Sequence, residues 1–218
     1  MLLTDPEAKE KSLVCDFFKR KGSGFFVEVG AKDPMSGSQT FLLEQLGWTG
    51  ILVEPQTELC RRLREKRPKS RVVQAACCGP DKDGAHFGPI EKLRVLTLDE
   101  VVKQAGNPKV DFVSIEVGGM ELELLRGFDL ANARPLLLLI ADTVRSLEKH
   151  RYLLKQGYKL VKRTGLNNWY VPKESVGPGT TLLEQLDLRR KMYLALPLRN
   201  LLHRKRVAHP TSVRPKTD

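Results

Sequence analysis

The sequence is short of cysteine, aromatic residues and long apolar runs, and each shortage excludes a class of protein. Its four cysteines, Cys15, Cys60, Cys77 and Cys78, form no C-x-x-C pair and have no histidine partner at zinc-finger spacing. Neither a structural zinc site nor a redox dithiol is therefore encoded. An extracellular disulfide framework is denser in cysteine than this, so all four read as reduced and structural. The longest unbroken apolar run, Leu136 to Ala141, falls far below the about 20 residues needed to cross a bilayer. The first residues mix acids and bases through Asp5, Glu7, Lys9, Glu10 and Lys11, unlike a secretory signal. A cytoplasmic location is the expectation. No Phe, Tyr or Trp falls between Gln56 and His86, which leaves the basic run Arg61 to Arg71 without the stacking platform of RNA and single-strand binders. That run reads as a solvated helix face, and nucleic acid is disfavoured as a partner. No internal repeat and no G-x-G-x-x-G is found, which disfavours a dinucleotide site.

What is present is a chain of 218 residues, long enough for one domain with a substantial core. Hydrophobic residues at 41% and charged residues at 29% exclude a disordered or fibrous protein. The net charge of +11 is unevenly spread. Residues 1–174 hold 28 basic and 23 acidic side chains, whereas residues 175–218 hold 9 and 3. The junction Ser175-Val176-Gly177-Pro178-Gly179 breaks helix and strand alike. The division read here is a globular body over 1–174 and a basic amphipathic extension over 175–218. In the extension, leucines from Leu182 to Leu202 alternate with Arg189, Arg190, Lys191, Arg199, Arg204, Lys205 and Arg206. That pattern suits peripheral contact with an anionic membrane, at the inner face of the cell membrane. The plainer reading is a helix packed on the body or on a second subunit with a solvated basic face. Oligomeric state is not encoded.

The body alternates short apolar runs with helical spacing. Strands are expected at Gly24–Gly30, Ile51–Pro55, Arg71–Cys78, Asp111–Val117 and Leu136–Asp142, with helices at Ser38–Leu46, Thr57–Arg67, Gly119–Arg126 and Ser146–Gln156. Thr97 to Glu100 has the capping-box pattern and opens a helix to about Ala105. Tyr158–Arg163 and Asn168–Val171, joined through Gly165, form a closing hairpin. Such alternation predicts a mostly parallel sheet covered on both faces, with ligands bound at the carboxyl ends of its strands.

Those ends carry a consistent set of residues. The first strand ends Glu28-Val29-Gly30-Ala31-Lys32-Asp33, where glycine lets a ligand approach the backbone. The second ends Glu54-Pro55, an acid able to accept both hydroxyl hydrogens of a ribose. The third ends with Ala76 and Cys77, small enough to admit a flat ring, and the fourth with Glu116-Val117-Gly118-Gly119. A glycine turn, a ribose acid one strand over and no phosphate cradle describe an adenosine ligand lacking pyrophosphate. S-adenosylmethionine fits that description.

The segments Gly24-Phe25-Phe26-Val27-Glu28-Val29-Gly30-Ala31-Lys32-Asp33 and Leu43 to Pro55 resemble the FkbM-type family of S-adenosylmethionine-dependent methyltransferases. So do Val110 to Glu116, Glu121 to Phe128 and Arg163 to Pro172. The resemblance runs from about residue 14 to 173. It implies a class I methyltransferase fold, a Rossmann-like three-layer α/β sandwich around a seven-stranded sheet with one antiparallel strand. It also implies O-methylation of a sugar or another small hydroxyl compound. Cofactor contacts then fall to Glu28, Gly30, Ala31, Asp33, Glu54, Pro55, Ala76 and Cys77. The chain departs from the family at three places. Lys32 replaces an Asn, Glu116-Val117-Gly118-Gly119 replaces Asp-Val-Glu-Gly, and Ala141-Asp142-Thr143 replaces Glu-Asp-His. The segment Cys78 to Leu93 is also shorter.

Methyl transfer to a hydroxyl needs alignment and a group to take the proton. Glu116 is the first candidate base and Asp142 the second; for Glu116 a contact to the cofactor's amine is the competing role. With Gly118 in place of an acid, no metal site is expected. His86, His150, Glu121 and Glu123 read as surface positions. Two other functions stay open, a catalytically impaired nucleoside-binding scaffold of the same fold and a methyltransferase acting on RNA or protein.

Overall fold

The computed structural model of the chain describes residues 6–81, 93–142 and 147–175, with isolated positions 177, 183, 186, 188 and 190 beyond them. His86, Thr143, Ser146, most of the Cys78–Leu93 segment and nearly all of the basic extension lie outside the described residues. The chain divides into two units, Met1–Gly179 and Thr180–Asp218; the sheet and the candidate site belong to the first. Among the described residues no helix is long and apolar enough to cross a membrane.

In chain order the strands are β1 (Phe25–Val29), β2 (Thr49–Glu54), β3 (Ser70–Gln74), β4 (Ala76–Cys77), β5 (Val95–Leu96), β6 (Phe112–Ile115), β7 (Leu137–Ala141), β8 (Tyr158–Thr164) and β9 (Asn167–Pro172). Seven of them form one sheet in the order β3-β2-β1-β6-β7-β9-β8. The pairs among β3, β2, β1, β6 and β7 are parallel, while β9 runs antiparallel to both β7 and β8. This is the seven-stranded Rossmann-like arrangement with one antiparallel strand that the family resemblance implies. The third strand differs from expectation. It breaks after Gln74, and β4 pairs instead with β5 in a separate two-stranded sheet.

The central strands are buried on both faces, which is why their sequences are continuously apolar. Period-two alternation assigns Val27, Val29, Ile51, Val53, Val113 and Ile115 to one layer. Phe26, Leu52, Phe112, Leu137 and Leu139 face the other, beside Trp48 and Trp169. Glu28 shares the parity of Phe26 and thus projects into an apolar layer.

Helices α1 (Pro6–Phe18), α2 (Phe41–Gln45), α3 (Thr57–Lys66), α4 (Leu98–Gln104), α5 (Glu121–Arg126), α6 (Leu130–Ala133) and α7 (Leu147–Lys155) complete the body. The capping box predicted at α4 is formed in both directions, with the Thr97 hydroxyl accepting from Glu100 N–H and the Glu100 carboxylate accepting from Thr97 N–H. Helices α1 and α6 lie outside the predicted elements; α1 has acids and bases on most faces and a weak apolar stripe. All four cysteines are free, with Cys60, Cys77 and Cys78 buried.

Candidate functional site

The chain proceeds outward from β1 to β2 and β3, then returns to the other flank of β1 for β6 and β7. The strand order therefore reverses between β1 and β6, the place where open α/β sheets leave a crevice at their carboxyl ends. A cavity of about 220 Å³ lies there, lined by Glu28 to Asp33, Ser36, Gly37, Gln39, Ser114, Glu116 and Asn167.

Its floor is the bend after β1. Gly30 has φ +78°, and a Cβ at that position would sit 2.3 Å from the Glu116 carbonyl oxygen. Glycine is thus required first by the approach of β6 and only then by any ligand. Gly30 N–H and Ala31 N–H both donate to Val53 O, at 3.0 and 3.2 Å, which ties the bend to the end of β2. Glu54 follows directly, 2% exposed. Its carboxylate accepts from Lys32 N–H and Gln56 N–H, each at 3.0 Å. One acceptor site on each oxygen is taken, and each oxygen retains a second lone pair.

The wall is the segment 34–40, and a buried charge network holds it in place. Glu28 accepts from Ser38 Oγ (2.9 Å), Gln39 N–H (2.9 Å) and Thr40 Oγ1 (2.5 Å). Burial pushes the Glu28 carboxyl above its ordinary value, against those hydrogen bonds and the nearby Arg67. Arg67, fully buried, donates to Ser38 Oγ, Thr40 Oγ1, Pro34 O and Glu44 Oε2 at 2.8–3.1 Å. The sequence places Arg67 on a solvated face; the structure makes it the hub of the cavity wall. Glu28 faces the cavity but is committed to that wall. Asp33 likewise closes a turn through Met35 N–H and Ser36 N–H and pairs with Arg62 at 2.8 Å, and those amides hold its carboxyl below the ordinary value.

One buried polar atom in the lining has no partner among the described residues. Gln39 is 7% exposed and donates through Nε2 to Gly37 O at 3.3 Å, yet its Oε1 accepts no hydrogen bond. A buried acceptor left in this state costs about 1–3 kcal/mol, and a ligand donor would relieve it. At the mouth, Lys32 Nζ pairs with Glu116 Oε1 at 3.0 Å, both half-exposed. Lys32 has φ +50°, an uncommon conformation for a non-glycine residue. Beside them Asn167 donates to Glu10 at 2.7 Å; burial raises the Glu10 carboxyl.

Other predicted positions lie elsewhere. Asp142, 1% exposed, is bound by Lys149 (3.2 Å), Arg163 (3.0 Å) and Asn168 (3.2 Å) and does not line the cavity. Burial alone would raise its carboxyl, but Lys149 and then Arg163 outweigh burial and hold it low. A carboxylate so held is a poor proton acceptor, which corrects its assignment as a second base. Ala76 and Cys77 are buried in the small sheet rather than open to a ligand, and burial pushes the Cys77 thiol up to about 12. Pro55 lines a separate groove. Glu121 and His150, read as surface residues, are buried. Glu121 lies 3.5 Å from Lys149, and His150 Nδ1 lies 3.1 Å from Tyr170 Oη. Glu123 is exposed and pairs with Arg126. Among the described residues no cluster of His, Cys, Asp or Glu could hold a metal. Gln39, Asn167 and Arg67 join the site without having been singled out by sequence. Only the polar run Ser38-Gln39-Thr40 beside a buried-strand acid could have signalled them.

Strand order and cavity together define a class I methyltransferase-type fold with a ligand crevice at its switch point. No family model matches the sequence, and no curated protein matches it. Among solved structures, M. capricolum TrmK in complex with S-adenosyl-homocysteine is 11% identical, with 97% of this chain and 91% of that chain covered at TM-score 0.49. Human methyltransferase 10 domain containing protein is 13% identical, covering 80% and 85% at 0.49. Precorrin-6y C5,15-methyltransferase from Geobacter metallireducens GS-15 is 15% identical, covering 78% and 88% at 0.46. Likenesses this distant decide nothing about chemistry, for which the strand ends are the guide.

Proposed function

We propose that the chain is an S-adenosylmethionine-dependent methyltransferase that methylates a hydroxyl of a sugar or another small molecule. The observation that carries this is the switch-point cavity, where a glycine bend and an unpartnered Gln39 oxygen meet without a phosphate cradle; Glu54 does not line it, but its buried carboxylate is tied to the lining residue Lys32 through the Lys32 N–H. Its lining is rich in hydrogen-bond acceptors, which suits a ligand carrying hydroxyls and a positive charge. Bound there, the cofactor supplies an electrophilic methyl group on a sulfonium.

The residues fit such a ligand in distinct ways. Glu54 has lone pairs left for the ribose hydroxyls. Gln39 Oε1 accepts from a donor on the ligand. Lys32 offers a positive charge to the carboxylate of an amino-acid end, at the cost of its half-exposed pair with Glu116, which is worth about 0–1 kcal/mol. Glu116 is the acid at the cavity mouth placed to take the acceptor's proton, and alignment by the walls supplies the larger share of the rate. The FkbM-type motifs support the hydroxyl acceptor. An RNA acceptor is the second reading, favoured by Arg64, Arg71 and Arg94, which line the same groove as Pro55.

The test combines calorimetry with S-adenosylhomocysteine and mass spectrometry of a glycan and RNA panel incubated with the cofactor. Binding together with a gain of one methyl on a hydroxyl acceptor is expected, and Glu116→Gln should cut turnover by about 10²–10⁴ with cofactor affinity little changed. No binding at millimolar cofactor overturns the reading. Methylation confined to RNA replaces its acceptor.

A further inference from the structure

The basic run Arg61 to Arg71 does not form a uniform charged face. Arg61 pairs with Glu58 at 2.6 Å and Glu65 at 2.5 Å, Arg62 with Asp33 at 2.8 Å, and Arg67 with Glu44 at 2.8 Å. Arg64 and Arg71 have no carboxylate partner among the described residues. With Arg94, from the segment leading into β5, they line a groove of about 410 Å³ along β3, the edge strand of the large sheet.

The groove is built to keep its positive charge. Among the described residues no acidic side chain lines it. Gln104 steadies two of the three guanidinium groups, accepting from Arg71 through its backbone oxygen at 2.5 Å and from Arg94 through its side chain at 3.4 Å. Each guanidinium has further N–H groups to offer. Alternation supplies more donors. Ala75 N–H points to Glu54 O on β2 and Ala76 N–H points away to Arg94 O, so Val72 and Gln74, of the same parity as Ala76, turn their N–H groups to the groove.

We propose that this groove docks the phosphodiester backbone of a single-stranded nucleic acid. Guanidinium groups fork onto phosphate oxygens with matched geometry. Among the described residues no aromatic side chain lines it, so it offers no stacking platform, and binding rests on phosphate contacts, which carry no sequence information. A membrane is a poorer fit, because the exposed large apolar residues of the body, Met35, Leu42, Leu46 and Leu166, lie elsewhere. The inference goes beyond the methyltransferase reading, and it can stand or fall without the cofactor.

The test is fluorescence polarisation of the full chain with single-stranded RNA and DNA probes of about twenty nucleotides, over a salt series. Both probes should bind, with affinity falling as salt rises. Arg64→Gln/Arg71→Gln/Arg94→Gln should reduce the log–log salt slope by about 2, at about 0.7 for each phosphate no longer neutralised. The corresponding Lys variant should keep most of the slope. Neutralising Arg204, Lys205 and Arg206 should leave the groove's share intact. If the triple Gln variant does not melt cooperatively, Arg64→Gln/Arg94→Gln should still reduce the slope by about 1. Absence of binding at low salt overturns the proposal. So does an unchanged slope in the groove variants, a slope owed wholly to the extension, or equal competition by polyglutamate, which would indicate an acidic protein partner.

Discussion

Replacing Arg67 by Met should be the most destabilising single change at the wall of the cavity. The guanidinium is wholly buried, makes four hydrogen bonds within 3.1 Å and lies 5.8 and 5.7 Å from the ring centres of Phe26 and Phe41. Methionine fills similar volume, so cavity creation is a minor part of the cost. What remains is Glu44, 1% exposed, deprived of its cation; Glu28 loses its nearby positive charge as well. Breaking a buried pair from one side costs about 3–5 kcal/mol. With a urea m value of about 2–3 kcal/mol/M, the midpoint should fall by about 1–2 M. Arg61→Ala, which removes two exposed pairs, should leave the midpoint almost unchanged. Adding Glu44→Gln to the Arg67 variant should recover part of the loss, giving a measurable coupling in a double-mutant cycle. If Arg67→Met proved as mild as Arg61→Ala, the wall would not be held by charge and the reasoning would be wrong.

Gly30→Ala should destabilise by about 2 kcal/mol or more, combining the positive φ with an approach to 2.3 Å, and should abolish S-adenosylhomocysteine binding in the fraction that folds. Gln39→Leu should act in opposite senses on stability and binding. Removing an unpaired buried acceptor raises the denaturation midpoint, whereas cofactor affinity falls about tenfold, in line with one lost hydrogen bond; unchanged affinity would take Gln39 out of the site. Asp142 gives a pH signature. Its carboxyl is held below the ordinary value, so its stabilisation is present above the unfolded value near 4 and is lost as pH falls through the folded value. Asp142→Asn should flatten the acid limb of a stability–pH curve and lower stability at neutral pH. An acid limb identical to that of the parent would refute the ion-pair assignment.

Periodicity and strand-end chemistry made most of the sheet legible. Residues such as Phe25 to Val29 or Leu137 to Ala141 admit few other structures, and the capping box at Thr97 fixed the start of α4 to the residue. The failures have physical causes. Gln74 and Ala76 read as one strand because nothing local marks the break, which depends on Ala76 N–H finding Arg94 O, eighteen residues on. Helix α1 was invisible because its buried face is narrow, Val14 and Phe18 being its buried apolar side chains. At the site, sequence places Gly30, Glu54 and Glu116 at strand ends; Gly30 and Glu116 line the cavity, and Glu54 lies buried outside its lining. Sequence could not tell a ligand-facing acid from one engaged inside the fold, since that depends on partners distant in sequence. Asp142 was lost to Lys149 and Arg163, and Glu28 to Ser38 and Thr40. Arg67 follows Arg61, Arg62, Arg64 and Lys66 and carried no mark of burial beyond sitting four residues after Leu63.

The most direct measurement is titration of S-adenosylhomocysteine into the wild-type chain and into Glu54→Ala by calorimetry. Saturable binding that weakens by at least about tenfold in the variant, the loss of roughly one charge-assisted hydrogen bond, is the expected result. Equal affinity in the two proteins, or no heat in either at millimolar ligand, would contradict the assignment of the switch-point crevice as a nucleoside site.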